Sequence, residues 1–87
     1  MKILKYELKH AAANNEIQTF AIREILSVGE QNGKLFIWIK VDNQSTPITD
    51  RIYVAFTGEE LPSSIGKFIG TVQIKQLVLH VFENPFF

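Results

Sequence analysis

Cysteine is absent from this 87-residue chain. That removes any disulfide framework and any thiolate metal site, and it fits a reducing compartment. A surplus of either charge is missing too, since nine Lys and Arg balance nine Asp and Glu. A general nucleic-acid binder normally carries a basic excess, so that class is disfavoured, although a local basic pocket is not. No stretch approaches the ~20 apolar residues of a membrane-spanning helix, so no membrane role is expected. The opening MKILKYELKH is charged throughout and lacks the apolar centre of a signal peptide. Together these absences point to the cytoplasm.

Catalytic signatures are lacking as well. There is no HExxH, no Walker-type loop, no GxGxxG and no serine in a nucleophile elbow. Only two histidines occur, His10 and His80, too few to supply a metal site. No pair of titratable groups stands out as general acid and base. The expectation is a non-enzymatic protein without metal or cofactor.

What is present is ordinary for a globular fold: 46% hydrophobic and 21% charged residues. Residues 1–87 make one domain. A chain of this length buries somewhat over ~60% of its unfolded surface, enough for a modest core.

The firmest local signal is EILSVGEQNGKLFIWIKVD, residues 24–42. Asn32-Gly33 between two apolar runs marks a two-residue type I′ hairpin turn, because both residues tolerate φ > 0. A regular register then pairs Gly29 with Phe36, Val28 with Ile37, Ser27 with Trp38, Leu26 with Ile39, and Ile25 with Lys40. Alternation puts Leu26, Val28, Leu35, Ile37, Ile39 and Val41 on one face, the expected core. Phe36 and Trp38 share the other face, opposite Gly29 and Ser27. Since LFIWI is apolar on both sides, that face is expected to lie under a second covering layer. The alternative is an aromatic platform for a ligand or a second subunit.

KILKYEL, residues 2–8, alternates as a half-buried strand with Leu4, Tyr6 and Leu8 on one side. HAAANNE, residues 10–16, suggests a short helical turn ended by Asn14-Asn15. IQTFAI, residues 17–22, reads as a strand in preference to a helix over 16–26, with a bend near Arg23. NQSTPIT, residues 43–49, is a polar loop and RIYVAFT, residues 51–57, a strand. GEELPSSIGK, residues 58–67, is a loop. FIGTVQI and LVLHVFE, residues 68–74 and 77–83, form an antiparallel pair across Lys75-Gln76. The apolar tail NPFF docks or meets a partner. About seven short strands imply an all-β fold, a single small antiparallel sandwich or barrel.

Candidate binding residues follow from this layout. Phe36 and Trp38 are suited to stacking a base. Arg51 and Tyr53 share the polar face of their strand, and an arginine beside aromatics holds anionic, stackable ligands or anchors a protein partner. Thr57-Gly58 ends that strand where a ligand can approach the backbone closely, or is a plain turn. In the loop, Ser63, Ser64, Gly66 and Lys67 can cradle a phosphate, although any loop carries such residues. His80 lies on the face of Val78 and Phe82, either as a hydrogen-bonded structural histidine or as a contact to a base or phosphate.

With the segments in order, the chain resembles a family of small bacteriophage and prophage proteins. The shared blocks are KYEL at 5–8, QT at 18–19, ILSV at 25–28, QNGKL at 31–35, Trp38, and VD at 41–42. TG at 57–58, IGTVQ at 69–73 and HVFE at 80–83 complete the set. They keep their order over nearly the whole length. HAAANN is longer than in similar sequences, and the chain runs past their usual ending at Glu83. The resemblance carries over no catalytic residues. It implies phage origin and action inside the bacterial host, as an accessory factor. By analogy with unrelated small phage proteins, the expected ligand is a small nucleotide-like molecule, with sequestration of a host immune signal as the role the analogy suggests. The alternatives are a protein–protein module using the aromatic face, or a minor virion component. Seven Phe, one Trp and two Tyr are many for so small a core, so a homo-oligomer is expected.

Overall fold

The computed structural model describes residues 1–85, which contain seven strands and no helix. The strands are β1 (Lys2–Leu8), β2 (Asn14–Phe20), β3 (Arg23–Gln31), β4 (Lys34–Val41), β5 (Pro47–Phe56), β6 (Phe68–Ile74) and β7 (Leu77–Glu83). They form two antiparallel sheets, one of three strands in the order β1-β4-β3 and one of four in the order β2-β5-β7-β6. The all-β sandwich expected from the strand pattern is the fold.

Alternation builds the core. In β4 every second residue is buried, and Leu35, Ile37, Ile39 and Val41 are each 0% exposed. They meet Ile17, Ile52, Val54, Val72, Ile74, Leu79 and Val81 from the four-stranded sheet. Fully burying one such side chain contributes about 1.5–3 kcal/mol. This core cluster is aliphatic, with Tyr6 and Phe20 packed at its margins. The other rings of the described residues lie outside it.

Asn32 and Gly33 adopt φ of 54° and 77°, the left-handed pair that a type I′ turn requires. The hairpin register follows the regular pairing as far as Ser27 opposite Trp38. A bulge then intervenes, so Ile39 faces Ile25 rather than Leu26, and Lys40 faces Glu24. A bulge inserts one unpaired residue and swaps the faces beyond it. Ile25 consequently packs on the core, while Leu26 is 43% exposed instead of buried.

Both ends of β2 and both ends of β5 also differ from the sequence reading. Residues 10–13 form a turn and not the start of a helix, and β2 already begins at Asn14. The buried Asn15 explains this: its side chain accepts from the Lys9 amide and donates to the Lys9 and Ala12 carbonyls, tying the turn to the strand. β2 stops at Phe20, which leaves Ile22 exposed in the bend. β5 starts at Pro47 and ends at Phe56, because residues 47–50 pair with β2, so the loop before it is shorter and Thr57 falls just outside the strand.

β3 and β6 pack together along one side of the sandwich, whereas β1 and β2 on the opposite side make far less contact. Gly70 allows the close approach, since a Cβ there would lie 2.9 Å from Val28 Cγ2. Of the NPFF tail, Asn84 is buried and bonded to Asn14 and to the Arg51 carbonyl; the last two phenylalanines lie outside the described residues.

Candidate functional site

Phe36 and Trp38 alternate with the buried residues of β4, so they stand on the outer face of the three-stranded sheet. Both are half-buried, and among the described residues no second layer covers them, contrary to the expected covering layer. Their ring centroids are 6.2 Å apart with planes tilted by 50°. Trp38 leans over Gly29, where a Cβ would lie 3.2 Å from the indole Cζ3. The absent side chain is what lets the indole lie low on the sheet. Lys5, opposite Trp38 on β1, holds its ammonium 4.6 Å from the Phe36 centroid and donates to Gln31 Oε1 at 2.9 Å. Lys40 pairs with Glu24 at 3.1 Å across the ladder. The result is an aromatic strip with Lys5 laid against one ring and the Lys40–Glu24 pair beside it.

The outer face of the four-stranded sheet carries Tyr53, Thr57, Gly58 and His80. His80 faces Thr71 across the β6–β7 ladder. Its Nε2 lies 2.7 Å from Thr57 Oγ1 and its Nδ1 lies 3.0 Å from Thr71 Oγ1. A hydroxyl–imidazole contact can begin a nucleophile–base pair, but here the other ring nitrogen meets a second threonine and no carboxylate. Gly58, with φ of 89°, turns the chain so that Glu59 reaches back. Glu59 accepts from the Phe56 amide at 3.0 Å and from the Tyr53 hydroxyl at 2.8 Å. The Phe56 N–H and the Tyr53 hydroxyl hold the Glu59 carboxyl below its ordinary range, against a smaller effect of burial. Reciprocally, donating to Glu59, burial and the Glu59 charge push the Tyr53 hydroxyl up. Beside this network lies a hollow of about 230 Å³ lined by Ala55, Phe56, Gly58, Leu61, His80 and Phe82.

Arg51 and Lys67 meet in a third place, a cleft of about 370 Å³ at one end of the sandwich with Arg23, Thr49, Asp50 and Glu83. Arg51 Nε is 3.6 Å from Glu16. Asp50 is gripped by Arg23, with bonds of 2.8 and 2.5 Å to its two oxygens, and by the Thr19 hydroxyl at 2.7 Å. Burial alone would raise the Asp50 carboxyl; the hydrogen bonds from Arg23 and Thr19 outweigh it and hold it below the usual range. Burial, and secondarily the Asp50 charge, pushes the Tyr6 hydroxyl up. The loop before β6 offers less to an anion than its composition implied. Its Gly66 amide donates to the Glu83 carbonyl, and a Cβ at Gly66 would lie 2.6 Å from that oxygen.

The residues singled out from sequence thus fall on three surfaces. Phe36 and Trp38 occupy one outer face; Tyr53, Thr57, Gly58 and His80 the other; Arg51, on the same face of β5 as Tyr53 as expected, also lines the end cleft with Lys67. One chain does not bring the two rings together with Arg51, Lys67 and Thr57. Sequence reasoning missed the Arg23–Asp50–Thr19 network, whose members lie in or next to three different strands, on both sheets, and carry no local signal. Among the described residues, no group of three or more acidic, histidine or cysteine side chains is placed to hold a metal ion, and no helix is long and apolar enough to cross a membrane.

No curated protein and no solved structure matches the chain. A family model does, over residues 1–86: the chain belongs to the family described as domain of unknown function DUF7352.

Proposed function

We propose that this protein is a non-enzymatic accessory module of phage or prophage origin that engages a host or phage protein through the outer face of its three-stranded sheet. The observation that carries this reading is the placement of Phe36 and Trp38, side by side and half-exposed on the outer face of the sheet, with Lys5 and Lys40 beside them. Aromatic anchors ringed by charge are the usual energetic centre of a protein interface. Small ligands favour concave sites that bury most of their surface, and neither the end cleft nor the hollow beside His80 is lined by Phe36 or Trp38. The test is capture from bacterial host lysate with the wild type, Trp38→Ala and His80→Ala. One stoichiometric partner, lost with Trp38→Ala and kept with His80→Ala, is the expected outcome. Equal capture by all three variants would refute the assignment of the face.

A small nucleotide-like ligand is the second reading, with sequestration of a host immune signal as its biological role. It is favoured by the end cleft, where Arg51 and Lys67 line one cavity. Anionic ligands suit such a pair. A ligand present at 100 times its Kd stabilises the fold by about 2.7 kcal/mol. Thermal-shift measurements with cyclic dinucleotides and ADP-ribose derivatives should therefore show a rise that Lys67→Ala abolishes, and no rise with any of them would rule the reading out.

A further inference from the structure

The sandwich has four edge strands, and they are not equally protected. β3 and β6 each carry a bulge and pack against each other. Bulges and coverage are common ways of preventing edge-to-edge pairing. β1 has neither. It is a regular seven-residue strand, bulge-free and without proline, hydrogen-bonded on one side only, to β4. Its inner-face residues Leu4 and Tyr6 are only partly covered, on the side where the two sheets make least contact.

Lysines on an edge ordinarily discourage pairing. In β1 one of the two lysines, Lys5, has a carboxylate on the same face two residues away, Glu7. An antiparallel partner related by a two-fold axis normal to the sheet must keep inner residues opposite inner and outer opposite outer, so the axis passes at a residue and not between two. Centred on Lys5, the pairing sets Lys5 against Lys5. Centred on Leu4, it sets Ile3 against Lys5 and Lys2 against Tyr6. Centred on Tyr6, it sets Lys5 against Glu7 and Glu7 against Lys5 on the outer face, with Leu4 against Leu8 and Tyr6 against Tyr6 on the inner face. Over residues 4–8, the part of β1 that it pairs, only the last of these three registers is complementary in both charge and polarity.

We infer that β1 pairs with β1 of a second copy in the register centred on Tyr6. The two three-stranded sheets then join into one six-stranded sheet of order β3-β4-β1-β1-β4-β3. The two aromatic strips come to lie on the same side of that sheet, which doubles the surface assigned above without burying it. This inference goes beyond that assignment and does not depend on it, because it concerns the strand edge and its test reads mass and register.

The chain has no cysteine, so single cysteines report the register cleanly. Sedimentation velocity at micromolar concentration should give twice the mass of one chain. Glu7→Lys, and separately Lys5→Glu, should give monomers, and the exchange of both together should restore the dimer. Under mild oxidation Tyr6→Cys should cross-link to itself while Lys5→Cys does not, because the two copies of residue 5 sit diagonally and not opposite. Should any variant prove unfolded by circular dichroism, wild-type hydrogen exchange decides the matter: β1 amides should gain protection as concentration rises. A wild type that is monomeric at every concentration overturns the inference. So does a dimer that survives Glu7→Lys, or cross-linking through Lys5→Cys in preference to Tyr6→Cys.

Discussion

The two outer faces of this sandwich are built on the same alternating pattern and yet do opposite things with it. On the four-stranded sheet the polar groups singled out as site candidates meet others of their own face: Tyr53 with Glu59, and His80 with Thr57 and Thr71. That face is closed upon itself. On the three-stranded sheet, Phe36 and Trp38 face a glycine and a serine across the ladder, and one charged side chain, Lys5, lays its ammonium against the Phe36 ring. That face is open. A residue pattern that looks like a site from sequence can thus mean a satisfied network on one sheet and an unfilled surface on the other.

The largest effect should come from the wall that both faces share. Ile37→Ala empties a fully buried position of β4 and should cost about 2–5 kcal/mol in chemical denaturation. It should disturb both faces equally, which sets the scale for the remaining changes.

Next comes Asp50→Ala, which strands Arg23 and Thr19 at the sheet junction and should cost about 1–3 kcal/mol. The pH dependence has a definite sign. The folded Asp50 carboxyl lies below its ordinary value of 3.8, so its contribution is complete above that value and is lost as pH falls through the lowered one. Wild-type stability should therefore decline in acid more steeply than that of Asp50→Asn. Parallel declines would mean that the network does not hold in solution.

Tyr53→Phe should cost less, about 0.5–1.5 kcal/mol, by removing one hydrogen bond from the closed face. It should leave partner capture intact. If capture fails, the division between the faces is wrong.

The smallest change in stability, under about 1 kcal/mol, is expected for Gly29→Ala. The new methyl would press on the indole at 3.2 Å and tilt it away from the sheet. Its value lies in the contrast: stability nearly kept, with capture weakened.

Much of this fold was legible in the residues, and the reason is the period of two. Leu35, Ile37 and Ile39 could be assigned to the core because alternation and the Asn32-Gly33 turn fix the same register. Leu26 could not be placed correctly, since a bulge is decided by how β3 bends to meet β6 and leaves no local mark in ILSV. Likewise Asn14-Asn15 looked like a breaker and proved to be a strand start, because the Asn15 amide caps the turn before it. The site was legible residue by residue but not as an assembly. Which of Phe36, Arg51 and His80 share a surface depends on how the strands are divided between the sheets, and that is a tertiary fact.

Trp38 is the one tryptophan in the chain, so its emission reports the open face and nothing else. Acrylamide quenching of the free protein tests the central claim most directly. The account predicts red-shifted emission and ready quenching, maintained at concentrations where the chains pair through β1. Blue-shifted emission that acrylamide cannot reach would show that the face is covered, and would contradict it.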